Sequence, residues 1–174
     1  MKITLTREEM LALWRRMRTV EPLRLDCSVG RTDSVDIDAI LDGEMRLWYL
    51  NLLDSADPDL LPVENVADAA DCSTAAPSSV MTVRLPEQVR RVVSVRFSQW
   101  ESPIAPDADP EQVRRCAANP LWHRPLAGAI SRHTLTVCQP GGSLEEIMAV
   151  TDPGPETYIF DESLLNTVAD HATF

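Results

Sequence analysis

The stretch VRLPEQVRRVVSVRFSQWESPIAP, Val83 to Pro106, decides the class of fold. Met81, Val83 and Leu85 alternate with Thr82 and Arg84, the period of a strand with one buried face. Pro86 cannot donate to a ladder, so it ends that strand and opens a turn. Val93, Val95 and Phe97 then alternate with Ser94 and Arg96, which predicts a second strand in the same odd-numbered phase. Trp100 falls in the phase of Ser98 instead. Either a bulge re-aims it, or it stands on the face away from the core. Pro103, Pro106 and Pro110 then frame a loop at the rim.

Upstream the period is helical. Thr6 and Glu9 form a T-x-x-E capping box. Met10, Leu11, Leu13, Trp14 and Met17 follow at helical spacing, so a helix is expected from about Arg7 to Arg18. A looser stretch leads past Pro22 to Gly30. Asp33 or Ser34 can cap a second helix. Its apolar stripe is Ile37, Ile40, Leu41, Met45, Trp48 and Leu52, and Pro58 stops it near Asp57. Residues 66–79 are rich in Ala, Asp, Ser, Thr and Pro and read as a surface loop.

Downstream, Asp109-Pro110 opens a short helix over Glu111 to Ala118, which Asn119-Pro120 ends. The segment NPLWHRP, residues 119–125, is a tight apolar-aromatic loop. Strands are expected at Leu126–Ile130, His133–Cys138 and Leu144–Val150, with a turn at Pro140-Gly141-Gly142. Tyr158–Phe160 is extended, and a closing helix is expected over Asp161–Ala169. Helices followed by strands give an α+β fold: an N-terminal helical pair packed on a small, mostly antiparallel sheet, with a short C-terminal helix. The 174 residues fit one domain, with a helical part about 1–65, the loop 66–79 and a β-rich part 80–174.

With 44% hydrophobic and 25% charged residues the chain is globular rather than disordered. Its net charge of −11 opposes general binding to nucleic acid, which needs a cationic surface. Lys2 is the only lysine, so nearly all positive charge is arginine, which suits planar interface contacts. No apolar run reaches the ~20 residues of a membrane helix. MKITLTREEM lacks the apolar centre of a signal peptide, so the protein is expected in a cytoplasm until it joins something.

Catalytic chemistry finds little footing. Cys116, His123, His133 and Cys138 could supply a zinc set, but their C-x6-H-x9-H-x4-C spacing has no close ligand pair. Buried thiols and surface histidines are the simpler reading. The same residues could form a Cys-His nucleophilic site, yet no pattern announces a base or an oxyanion cradle. Asp36, Asp38 and Asp42 lie early on the second helix and lack the alternation of a calcium loop, so a solvated or dipole-facing position is their simplest role. Gly141-Gly142 lacks the lysine of a phosphate loop. No cofactor is expected. Trp100 and Trp122 differ from these. Both sit in proline-flanked loops beside Arg96 and Arg124, and such residues dominate contact energies at interfaces. These four are the candidate interface anchors, unless the tryptophans plug the domain's own core.

The order of these elements resembles the bacteriophage head-to-tail connector family, the adaptor or neck proteins that ring the underside of the portal. The stretches that carry the likeness are LWYLNLL in the second helix, the LP corner, RRVVSVRFSQW, NPLWHRP and the helix after YIFDE. They span about Asp33 to Ala169. Other phage-encoded proteins with an LP…R…V…W-E segment look similar. The family has a loop close to Leu-Tyr-Asp-Arg, which Leu121-Trp122-His123-Arg124 matches in part, with His123 replacing the acidic residue. The resemblance implies a non-enzymatic virion protein assembled in the bacterial cytoplasm. It implies a homo-oligomeric ring, partnered by portal and tail proteins, through which DNA passes without specific binding. No membrane partner is expected. A soluble binding module working through the Trp100 and Trp122 loops, and a small Cys/His enzyme, are the alternatives.

Overall fold

A computed structural model describes residues 1–17, 36–75 and 80–170. In chain order they form β1 (Lys2–Thr6), α1 (Arg7–Met17), α2 (Ile37–Ser55), β2 (Val63–Asn65), β3 (Asp71–Ala75), β4 (Val80–Arg84) and β5 (Val89–Phe97). Then come α3 (Pro110–Ala118), β6 (Leu126–Ser131), β7 (Thr134–Cys138), β8 (Leu144–Thr151), β9 (Thr157–Asp161) and the short α4 (Asn166–Asp170). The fold is α+β. It divides into two compact units, Met1–Leu61 with Pro153–Phe174, and Pro62–Asp152. The division does not follow the helical and β-rich parts read from sequence, because the closing segment belongs with the N-terminal helices.

In the first unit the helical pair packs on a two-stranded antiparallel ribbon of β1 and β9, with Lys2 opposite Asp161 and Thr6 opposite Thr157. Thr6 ends β1 and also caps α1. Its backbone N–H donates to Glu9 Oε2 at 2.8 Å, and the Glu9 N–H donates to Thr6 Oγ1 at 3.3 Å. Strand β1 escaped the sequence reading because only Ile3 and Leu5 mark it before the cap. The core here is aromatic. Trp14 meets Trp48, and Trp48 meets Phe160, each with ring centroids 5.6 Å apart. Tyr49 meets Tyr158 at 4.9 Å. The buried arc of α2 is Leu41, Met45, Trp48, Tyr49, Leu52 and Leu53. Ile40 lies one residue off that arc and is 51% exposed, which corrects the expected stripe. Asp36 caps this helix, its carboxylate accepting from the Ala39 N–H at 3.1 Å. The expected caps Asp33 and Ser34 lie outside the described residues, as do Cys27 and the stretch from Pro22 to Gly30. Arg7 ties α1 to α2 through a bidentate contact with Asp42 at 2.8 and 3.0 Å.

The second unit has two antiparallel sheets around one core. Their strand orders are β2-β8-β5 and β3-β4-β7-β6. Strands β4 and β5 therefore do not pair: the Leu85–Pro86 corner carries the chain from one sheet to the other. Val83, Leu85, Val89, Val95, Phe97, Leu135, Val137, Ile147 and Ala149 fill the space between the sheets. His133 braces the corner. Its Nε2 lies 3.1 Å from the carbonyl oxygens of both Glu87 and Val89. Carbonyls only accept, so Nε2 carries the proton. The segment after Trp100 joins the free edges of the sheets: Ile104 pairs with Val95 of β5, and Asp107 with Gly128 of β6.

Two local readings change. Bulges interrupt β5, so Val89, Val92 and Val95 oppose Thr151, Ala149 and Ile147, and Val92 rather than Val93 packs on the core. Of the expected 66–79 loop, residues 76–79 lie outside the described residues, and residues 66–75 are not a plain loop. Ala67–Ala69 form a 3-10 turn, and β3 pairs with β4 along its length. The small and polar side chains of β3 are compatible with an edge strand, which needs few apolar side chains.

Candidate functional site

The site grows from the end of β5. The Trp100 N–H donates to the Phe97 carbonyl at 2.9 Å, a tight turn that folds the indole back on the Phe97 ring, centroids 4.9 Å apart. Trp100 is only 7% exposed and belongs to the core of the second unit. As an exposed interface anchor it is thus corrected: the turn, not strand alternation, aims it inward. Its Nε1–H donates to the Gln139 carbonyl at 2.9 Å. Gln139 has a φ of 58°, the left-handed region that a non-glycine residue adopts only when its surroundings hold it. Its side-chain amide then donates to the Trp122 carbonyl at 3.2 Å. One residue thus holds both tryptophan segments.

The 119–125 loop is also held from within. The Trp122 N–H donates to the Asn119 carbonyl at 3.0 Å, and its indole N–H donates to the Arg124 carbonyl. Across from it, Ser98 N–H donates to Ser143 O at 2.9 Å and Gln99 N–H to Gly141 O at 3.0 Å. That approach requires glycine. Gly142 has a φ of +79°, and a Cβ there would stand 2.0 Å from Ser98 Oγ.

Between these loops lies a cleft of about 440 Å³. Its apolar lining is Trp100, Ile104 and Pro125; Gln99, Glu101, His123 and Gln139 are its main polar groups. The Trp100 indole N–H is spent inside the protein, so the cleft takes no donor from it, and Trp122 does not line the cleft. Glu101 and His123 are exposed. The sequence signalled the tryptophans but not Gln139, because no local pattern marks a left-handed glutamine before Pro140.

The other candidates scatter. Arg96 sits on β5 opposite Glu146, with its Nε 3.6 Å from Glu145 Oε2. Arg124 is exposed and Trp122 half-buried. Of the suggested zinc set, His133 braces the corner and His123 lines the cleft, while Cys138 is buried in β7. Burial, and then the neighbouring Cys116, push the Cys138 thiol upward, away from the thiolate a nucleophile needs. Among the described residues no group of three or more His, Cys, Asp or Glu side chains could hold a metal. No family model, curated protein or solved structure matches the chain.

Proposed function

We propose that this chain is a structural virion protein, a head-to-tail connector subunit that forms a ring below the portal and carries out no catalysis. One observation carries the reading. Three stretches behind the resemblance form one local assembly: the Leu85–Pro86 corner, β5 through Trp100, and the 119–125 loop that Gln139 ties to Trp100. The net charge of −11 supports a subunit past which DNA slides, since carboxylates repel the phosphate backbone. The ring contact would be heterologous and closed, with Arg96, Trp122 and Arg124 as the accessible anchors. Particle imaging and mass photometry of the purified chain, alone and mixed with a phage portal protein, test this. Ring-shaped oligomers are expected. A chain that stays monomeric at high concentration and never docks on the portal overturns it.

The cleft favours a second reading, a binding module that engages a protein or ligand through the Trp100 and Trp122 loops. A concave site with an aromatic wall and a few convergent polar groups is the ordinary form of such a module.

A further inference from the structure

We propose that Cys116 and Cys138 are a thiol pair that a small-molecule disulfide, such as oxidised glutathione, converts into a Cys116–Cys138 disulfide. The bond would clamp the two chain segments that frame the cleft.

Strand register and helix packing bring the two residues together. In β7, Leu135 and Val137 point into the core between the sheets, so by alternation Thr136 and Cys138 point to the opposite face. Both are nonetheless buried, so that face is covered. The cover is α3, which packs on β6 and β7. Its first turn sits over Gly128, the cross-strand partner of Thr136: a Cβ at Gly128 would stand 3.3 Å from the Pro110 nitrogen. Its last turn leads through the 119–125 loop into Leu126, the cross-strand partner of Cys138. The helix therefore runs from Thr136 toward Cys138. From Pro110 to Cys116 it rises about 9 Å, and from Thr136 to Cys138 the strand spans about 7 Å. Val113, one turn before Cys116, is fully buried yet outside the core between the sheets, so this side of α3 is the side on the sheet. The Cys116 thiol's effect on Cys138 is consistent with that closeness.

The two thiols differ in access. Cys116 is half-buried and Cys138 buried, so Cys116 meets the reagent first. Cys116 gives up its proton, its sulfur bonds one glutathione sulfur, and the other glutathione leaves as a thiolate. The Cys138 sulfur, once deprotonated, attacks the Cys116 sulfur and expels the second glutathione. Two protein thiols are oxidised, and one glutathione disulfide is reduced to two thiols, which take up the two protons. The bond joins both roots of the site. The Cys116 carbonyl accepts from the Asn119 N–H where the 119–125 loop begins, and Gln139, which ties Trp100 to Trp122, follows Cys138 directly.

The full chain, treated with oxidised glutathione under native conditions, then alkylated and digested with trypsin, tests this by mass mapping. The peptide that begins at Cys116 is expected joined to the one that begins at His133, with two hydrogens lost. Cys138→Ser should leave glutathione on Cys116, trapping the first step. Hydrogen exchange across the 119–125 loop should slow severalfold in the oxidised chain and recover with dithiothreitol. Glutathione that stays on Cys116 in the parent chain, two unreacted thiols, or a bond from Cys116 to another cysteine would overturn the pair. Unchanged exchange in the oxidised loop would overturn the clamp.

Discussion

The indole N–H of Trp100 and the carbonyl of Gln139 meet at 2.9 Å, and this one contact joins the end of β5 to the turn between β7 and β8. It makes Trp100 a core residue. Trp100→Ala is therefore expected to cost about 3–5 kcal/mol of stability through the lost ring. Trp100→Phe keeps a ring but strands the Gln139 carbonyl, at a cost of about 1–3 kcal/mol. Urea unfolding measures both. If Trp100→Ala left the midpoint unchanged, the inward placement would be wrong.

Gly142 tests the loop that faces this contact. A Cβ there meets Ser98 Oγ at 2.0 Å, on a backbone with a φ of +79°. Gly142→Ala should lose about 1–3 kcal/mol, the range for a residue forced into a sparsely populated conformation. The double change Gly142→Ala with Ser98→Gly removes the clash but keeps the strained φ and takes the Ser98 hydroxyl from the Ser143 N–H, so stability should stay below that of the parent. Full recovery would mean that the conformation at residue 142 costs nothing.

Acid should weaken the first unit. Its carboxylates are held in their charged forms: Glu9 by the backbone N–H and then the hydroxyl of Thr6, and Asp42 by the Arg7 guanidinium. Asp161 is held by the Met1 amine and by Ser163, far below the usual carboxylate range. A pKa lower in the folded than in the unfolded chain adds stability above the unfolded value, about 4 for these groups, and loses it as pH falls through the folded one. Unfolding midpoints are thus expected to be flat near neutrality and to drop below about pH 4–5. Asp42→Asn should sit lower at pH 7 and fall less steeply. An equally steep fall would remove the Arg7–Asp42 pair from the acid response.

The helices were legible where a local rule fixes them. The Thr6–Glu9 box and Asp109-Pro110 both open helices where the spacing says, because caps act within three or four residues. Most β-strands were legible by alternation, including Thr134–Cys138 and Leu144–Thr151. Strand partners were not. Whether β4 pairs with β5 depends on which edge each finds across the domain, and Pro86 looks the same in a hairpin and in a corner between sheets. The bulges in β5 hid the phase of Val92 for a related reason, since an extra residue shifts alternation without leaving a compositional mark. The cleft was half legible. Trp100 stood out by type, while Gln139, Glu101 and His123 join it only through the turn geometry, and Trp122 is tied to Gln139 without lining the cleft.

Tyr49 closes an open strand edge, and its removal is the sharpest test of the first unit. Among the described residues strand β9 pairs with β1 on one side alone. On the other side the Tyr49 hydroxyl stands 3.0 Å from both the N–H and the carbonyl of Ile159, accepting from one and donating to the other. A single side chain on α2 thereby does what a neighbouring strand does for one residue. Its ring is fully buried against Tyr158 and Phe160, so Tyr49→Phe keeps the packing and deletes only the hydroxyl. Both backbone groups of Ile159 then lose a partner, which should cost about 1–3 kcal/mol. The local signature is more specific than the total. The Ile159 amide should exchange its hydrogen much faster in Tyr49→Phe, while the Phe160 and Tyr158 amides change less. Unchanged protection at Ile159 would show that the hydroxyl is not its partner and that β9 finds its second edge elsewhere.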